Sequence, residues 1–194
     1  MPTPIDLLLD PISLLAFGIL GALMLVEFVV PARPLPRVRG WAVRGLVAFV
    51  AYFYLSSYLP LLWGDYLGSY RLFDLDALGT VGGAAVSVLV YELGVYWWHR
   101  AMHRFNLLWR VFHQLHHSAE RLDTFGAFWF SPWDMVGWTA LGSLALMLAG
   151  VSPGAATSAL LFELFLSVFQ HMNVRTPRWI GYFLQRPESH SVHH

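Results

Sequence analysis

The sequence predicts an all-α integral membrane protein with four to five transmembrane helices and a histidine-rich cap on one face. The first observation is composition. Of 194 residues, 57% are hydrophobic and 12% are charged, whereas soluble domains carry about 25% charged residues. The second observation is a series of five apolar runs, each long enough to cross a bilayer. The third is that all nine histidines follow residue 98 and avoid the middle of every run.

The five apolar runs predict the helices in chain order. They cover residues 12–30, 45–63, 79–98, 133–151 and 155–170. The first run ends at "PARPLP", whose three prolines cannot continue a helix. Ser131, Pro132 and Asp134 predict an N-cap, a first helical residue and a capping-box acid for the fourth run. One such run could be a buried helix of a soluble protein, but five in a short chain favour membrane spans.

Arginine supplies all twelve cations, and its distribution predicts the orientation of the spans. Eleven of the twelve lie in alternate loops, which the positive-inside rule assigns to the cytoplasm. They are Arg33, Arg37, Arg39, Arg44, Arg100, Arg104, Arg110, Arg121, Arg175, Arg178 and Arg186. Arg71 lies in the loop of residues 65–76, which alternation places outside. A re-entrant hairpin of the fourth and fifth runs is an alternative that leaves this orientation unchanged.

No internal repeat or linker divides the chain, which indicates one integrated domain. We assign residues 1–78 to N-terminal membrane-anchoring spans and residues 79–194 to a region that carries every histidine. The formal net charge of zero gives no reason to expect a nucleic-acid partner.

The nine histidines form three clusters and one single residue, all in segments assigned to the cytoplasmic face. They are His99 and His103; His113, His116 and His117; His171; and His190, His193 and His194. The first two are four residues apart and therefore share one helix face. Each triplet has i, i+3, i+4 spacing, so a helix would direct its three side chains the same way. Four chain segments thus bring imidazoles to one membrane face.

A metal centre explains this concentration of imidazoles better than a structural role. Without metal, the rings would repel one another when protonated and leave buried polar atoms unpaired. Imidazole suits iron, copper, nickel or zinc, and the absence of cysteine excludes iron–sulfur clusters and thiolate-ligated haem. A zinc site needs three or four ligands, so nine candidates predict two metals. His171 alone could be an interfacial residue, and the pair His99 and His103 could contact headgroups, but two HxxHH triplets favour ligation.

Carboxylates are scarce near these clusters. Glu92 lies seven residues before His99 and roughly on the same helix face, so it could orient an imidazole from outside the ligand shell. Packing of Glu92 against another span is the alternative interpretation.

Four motifs together resemble the histidine boxes of the fatty acid hydroxylase/sterol desaturase superfamily. They are "HRAMH" (99–103), "HQLHH" (113–117), "FQHMNV" (169–174) and "PESHSVHH" (187–194). Their order and intervals are similar to those of the family over about residues 85–194. HxxHH alone is not specific, so the resemblance depends on the combination.

The resemblance implies a membrane-bound non-haem di-iron oxygenase that hydroxylates or desaturates a lipid. It implies two iron ions, O2 as co-substrate, and an external electron donor such as a cytochrome b5-like protein, a ferredoxin or a reductase. The lipid would be a sterol, a fatty acyl chain or a related isoprenoid. Box by box, the implied metal-binding and catalytic residues are His99, His103, His113, His116, His117, His171, His190, His193 and His194, with Asn173 beside the site. Zinc can replace iron during purification, because it outcompetes Fe(II) for nitrogen ligands.

Members of the family usually continue well past the third box, whereas this sequence stops at His194. We therefore expect the sequence to be a fragment whose C-terminus is truncated.

Two other classes of protein remain as alternatives. A histidine-rich metal transporter would carry ligands at mid-membrane, where these spans hold only Glu27, Glu92 and Glu163 and no histidine. A metal-free, lipid-binding relative would have lost ligands from its boxes, whereas every box here is complete.

Overall fold

The computed structural model describes residues 1–67 and 70–194, and within them all regular structure is helical. The helices are α1 Pro4–Leu9, α2 Pro11–Val29, α3 Trp41–Leu67, α4 Gly79–Arg104, α5 Asn106–Leu108, α6 Pro132–Ala149, α7 Pro153–His171 and α8 Pro187–His193. Five of them, α2, α3, α4, α6 and α7, correspond to the five predicted runs. The predicted outer loop of residues 65–76 includes residues 68 and 69, which lie outside the described part of the chain.

Local sequence signals set most helix starts. Asp10 caps α2 by accepting hydrogen bonds from the backbone N–H groups of Ile12 and Ser13. The predicted cap of α6 is confirmed, since the Ser131 hydroxyl accepts from the Asp134 N–H at 3.0 Å. Ser152 caps α7 in the same way, with Pro153 as the first helical residue. The local rules for N-caps therefore work in this chain.

Helices α3 and α4 are longer than the apolar runs that predicted them. α3 begins at Trp41 and continues through Pro60 to Leu67. α4 extends six residues beyond the predicted end at residue 98, as far as Arg104. Polar residues form this last turn, so the hydropathy run ends before the helix does. His99 and His103 lie on one continuous helix, which confirms the prediction from their spacing.

The five long helices pack in a ring. α4 packs against both α6 and α7, α6 packs against α3, and α7 packs against α2. Aromatic side chains join α2 to α3, with the ring of Phe17 5.0 Å from that of Phe53 and 6.0 Å from that of Phe49. This ring of helices lines a cavity of about 1520 Å³ that is open to its surroundings.

One end of the ring carries the polar connections. The loop after α2 contacts the segment after α7, because the Ala32 N–H donates to the Asn173 carbonyl at 2.7 Å. Arg121 donates to the Pro36 carbonyl at 3.0 Å, which ties the segment before α6 to the same loop. The eleven predicted cytoplasmic arginines therefore belong to segments that meet at one end of the molecule.

The other end is formed by the segment that carries Arg71. The backbone N–H groups of Leu72 and Phe73 donate to the Leu148 carbonyl at 3.2 Å. The turn after α6 is left-handed at Gly150, with φ of 61°, and a Cβ there would overlap the Phe73 carbonyl. Arg71 thus lies at the end opposite to the other arginines, as the alternation of spans predicts.

Four helices in the described part of the chain are long and apolar enough to cross a membrane. They lie in the segments Pro11–Val29, Trp41–Gly64, Asp76–Arg104 and Pro153–His171. α6 is not among them, which matches the lower of the two predicted numbers of spans.

A buried carboxylate fastens the polar end to α2. Glu27 accepts hydrogen bonds from the Thr124 N–H at 2.9 Å, the Thr124 hydroxyl at 3.0 Å and the Asn173 N–H at 3.1 Å. One side chain near the end of α2 thus holds two separate loops, the second of which directly follows His171. Because bonds to a carboxylate are strong, this contact fixes where α7 ends.

Candidate metal centre

All nine histidines converge at the polar end of the ring and divide into two groups. The five-histidine group contains His99, His103, His113, His117 and His193. The four-histidine group contains His116, His171, His190 and His194. Within each group, one ring nitrogen from every member lies within 4.8 Å of the corresponding nitrogens of the others. Every histidine predicted to be a ligand therefore takes part.

The spacing of these nitrogens fits coordination of a shared ion. In the five-histidine group, the Nε2 atom of His99 lies 3.1 Å from the Nε2 atoms of both His103 and His193. In the other group, the Nε2 atom of His171 lies 3.1 Å from those of His116 and His190. Metal–imidazole bonds are about 2.0–2.1 Å long, so two ligands at a right angle are about 3 Å apart. The donor set of each group therefore fits one metal ion.

The two HxxHH triplets do not point one way, which corrects the prediction from their spacing. In the first triplet His113 and His117 join the five-histidine group, and His116 joins the other. The last triplet does the reverse, because His193 leaves its neighbours for the five-histidine group. In the first triplet, a π-helical turn at Trp109–His113 and a 3₁₀ turn at His116–Ser118 replace ideal α-helical spacing. The last triplet lies at the end of the α-helix α8 and divides because that helix contacts both groups. Each triplet therefore contributes to both groups.

Two histidines are oriented through the nitrogen that faces away from the centre. The Nδ1 atom of His171 lies 2.6 Å from the Ser167 carbonyl, an acceptor, so Nδ1 carries the proton and Nε2 is free to bind metal. The Nδ1 atom of His113 lies 3.3 Å from the carboxylate of Asp134, which is fully buried. The Ser167 contact selects the tautomer that a metal ligand needs, and the Asp134 contact orients the ring of His113.

Several ring nitrogens in the centre are buried and have no partner among the described residues. They include the Nε2 atoms of His113 and His117. Buried polar atoms are almost always satisfied, and leaving them unpaired is costly. Both atoms belong to the five-histidine group, where a metal ion would satisfy them. This observation supports the fit of the donor set to a metal.

The environment keeps these imidazoles neutral. Burial is the largest cause of a lowered pKa for His117, to about 2, and for His194, to about 3, and neighbouring histidines lower both further. The pKa of His116 is also lowered, mainly by burial and next by the neighbouring imidazole of His171. A metal binds the neutral ring, so the folded protein holds its candidate ligands in the reactive form.

Asp134 is the site residue whose role the sequence did not reveal. It was predicted to complete the capping box of α6, and its carboxylate instead contacts His113. Glu92, the predicted outer contact, interacts with Glu163 of the neighbouring helix α7. Asn173 follows His171 closely, and its side-chain amide donates to the Arg33 carbonyl at 2.7 Å. His113 and Asp134 are 21 residues apart, so no local motif in the sequence suggests their contact.

A second network holds α8, which carries His190 and His193 and is followed directly by His194. Glu188 accepts from the Thr176 N–H and from the Thr176 hydroxyl, both at 2.7 Å. Arg186 donates to the Thr176 carbonyl at 2.8 Å and forms an ion pair with Glu188 at 3.0 Å. The helix is thus fastened to the segment that follows α7, which places the last triplet against the other boxes.

The cavity lined by the helices leads to the histidines. Seven of the nine line it, namely His99, His103, His113, His116, His171, His190 and His193. Its walls farther from the histidines are largely apolar and come from all five long helices. An apolar chain inside it would therefore reach the histidine groups without passing through water.

Comparisons with known proteins agree with this arrangement. The chain is 31% identical over 144 residues to alkylglycerol monooxygenase of Homo sapiens, which covers 72% of this chain and 30% of the relative. It is 30% identical over 111 residues to alkylglycerol monooxygenase of Danio rerio, covering 56% of this chain and 24% of that protein. The chain thus spans less than a third of the length of these curated relatives. No solved structure matches.

The fatty acid hydroxylase family model matches residues 84–194, which include all nine histidines and both groups that they form. This match covers more than half of the chain and confirms the resemblance of the four histidine motifs. The protein therefore belongs to the fatty acid hydroxylase family.

Proposed function

We propose that this protein is a membrane-bound, non-haem di-iron oxygenase that hydroxylates or desaturates a lipid. The observation that carries the proposal is the division of nine histidines into two adjacent groups at the end of an apolar cavity. Family membership and the named activity of the two relatives, a monooxygenase, support a reaction with O2.

The donor set is compatible with iron, copper, nickel or zinc, and the proposed reaction with O2 favours iron as the native metal. Each group offers only neutral imidazole nitrogen, and neutral ligands leave the metal electron-poor and reactive. Iron bound by these ligands would supply the O2 chemistry needed to break an unactivated C–H bond. Two groups of four or more ligands support two ions for each chain.

The reaction requires electrons from outside. Hydroxylation converts R–H, O2, two electrons and two protons into R–OH and water. Desaturation uses the same O2, electrons and protons, removes two hydrogens from the lipid and releases two waters. A cytochrome b5-like protein, a ferredoxin or a reductase would donate the electrons, because no described residue can supply them.

The protein's own residues orient the lipid and the ligands. The five helices exclude water from the lipid chain and direct it to the histidine groups. Asp134 and the Ser167 carbonyl hold His113 and His171 with one nitrogen toward the centre. We place this centre on the cytoplasmic face, because the arginine-bearing segments lie at the same end of the molecule.

A metal transporter is the alternative from another class. Transport would require ligands along a path through the membrane, at the depth where discontinuous helices expose their ends. The nine histidines instead lie together at one end of the ring, and α4 and α7 are continuous helices. These features favour catalysis at the membrane surface.

Two measurements test the proposed function on the full-length protein. Metal analysis of protein from iron-supplied cells should approach two irons for each chain. Mass spectrometry after exposure to ¹⁸O2 should show a lipid that has gained one ¹⁸O atom if the reaction is hydroxylation. If the reaction is desaturation, the lipid should have lost two hydrogens. His116→Ala should abolish the product and lower the iron content, while membrane insertion persists.

The matched control is Gln114→Ala, an exposed residue between two histidines of the same motif. This variant should keep both the iron and the product. A folded full-length protein with one metal or none, or normal turnover in His116→Ala, would contradict the di-iron mechanism.

A further inference from the structure

We propose that the cavity contains a second polar site, formed by Glu92 and Glu163, that binds a hydroxyl group of the lipid substrate. The inference rests on the proposed oxidation of a lipid and names the chemical class of that lipid. It assigns a role to two carboxyl groups that the metal centre does not use.

The two carboxyl groups come from neighbouring helices. Glu92 lies on α4 and Glu163 on α7, and their carboxyl groups are close enough to interact. Both residues line the cavity. Few ionisable groups lie within membrane-spanning helices, because they are costly there, and those that do are commonly functional.

Of the two carboxyl groups, Glu163 gives the clearer evidence for a bound ligand. Its side chain is 6% exposed, and its Oε1 atom is buried with no hydrogen-bond partner among the described residues. A buried acceptor without a donor is unfavourable. A ligand that enters the cavity with a hydrogen-bond donor would satisfy this oxygen.

A lipid hydroxyl fits the site better than a metal cation. Hard cations such as Ca²⁺ take six to eight oxygen ligands, far more than two carboxyl groups provide. A hydroxyl donates one hydrogen bond, and the unpaired Oε1 atom of Glu163 provides the acceptor for it. The cavity wall near the pair includes Leu89, Val95 and Leu160, which suits the apolar remainder of a lipid.

The position of the pair predicts which carbon is oxidised. Glu163 is eight residues from His171 on α7, and Glu92 is seven residues from His99 on α4. At 1.5 Å per helical residue, the pair lies roughly 10–12 Å from the histidine groups. A hydroxyl bound there would place a carbon roughly that far along the lipid at the metal centre.

Binding of three tritiated probes to the full-length, iron-loaded protein in lipid nanodiscs tests the inference. The probes are octadecan-1-ol, its methyl ether and octadecane, which differ in whether they carry a hydroxyl donor. We expect octadecan-1-ol to bind about tenfold more tightly than either of the others, the effect of one buried hydrogen bond. Glu163→Leu should abolish this preference, and the exposed control Glu120→Gln should keep it.

Equal binding of the three probes to the wild-type protein would overturn the inference, whether or not a variant folds. A changed melting temperature with an unchanged preference in Glu163→Leu would assign the pair to helix packing and would also overturn it. A preference for the alcohol without any oxidised product would support the site while contradicting the proposed function. The two proposals can therefore fail separately.

Discussion

Glu188 helps to hold the last histidine triplet in place, so under the proposed two-iron function its substitution should weaken both metal sites at once. Glu188→Gln keeps the size of the side chain but removes the charge that accepts from Thr176 and pairs with Arg186. Hydrogen bonds to charged groups contribute about 1.5–3 kcal/mol when buried. The Glu188 side chain is 37% exposed, so we discount the whole network to about 1.5 kcal/mol for solvent screening.

That loss corresponds to roughly a tenfold weaker docking of α8. The assay is competition with a chelator, in which the iron retained by each chain is measured at rising chelator concentration. We expect half-loss at roughly one tenth of the wild-type chelator concentration, with both irons affected. Glu120→Gln is the control, because that carboxylate is exposed and forms no hydrogen bond or ion pair with α8 among the described residues. Wild-type retention of both irons in Glu188→Gln would refute the argument that this network holds the third box.

Further predictions concern single residues elsewhere in the chain. His171→Ala should abolish turnover and lower bound iron, whereas Arg71→Ala, at the opposite end, should change neither. Cysteines placed at positions 39 and 71 should be labelled by an impermeant reagent from opposite sides of the membrane, and labelling from the same side would overturn the topology. Gly45→Ala should lower the melting temperature, since the new Cβ would overlap the Phe125 carbonyl. An unchanged melting temperature would show that the turn at residues 124–126 can move away.

The helices could be predicted from the sequence because their signals are local. Apolar runs of spanning length mark α6 and α7 to within a few residues, and Ser131 also marks the start of α6. The hydropathy run of α4 ends at residue 98, but the four-residue spacing of His99 and His103 predicted that both share one helix face, and α4 contains both. Hydropathy and side-chain spacing are therefore complementary signals at a polar helix end.

The convergence of the nine histidines could be predicted, but their division into two groups could not. Clustering of imidazoles in a chain with few charges already indicates that all nine histidines converge. Which group His116 or His193 joins depends on the π-helical and 3₁₀ turns and on the approach of α8. Asp134 was misassigned because a capping role and a contact with His113 have the same local sequence.

The sharing of both triplets between the two histidine groups has a consequence for assembly with iron. An ion in the four-histidine group would fix His190 and His194, and the same short helix would then present His193 to the five-histidine group. Under the proposed two-iron function, the ion that binds first therefore orders α8, and the second ion finds its ligand on that helix already in place. The first ion bears the entropy cost of that ordering, so the second binds more tightly. At limiting iron, the population should divide into empty and fully loaded molecules, with few carrying a single ion.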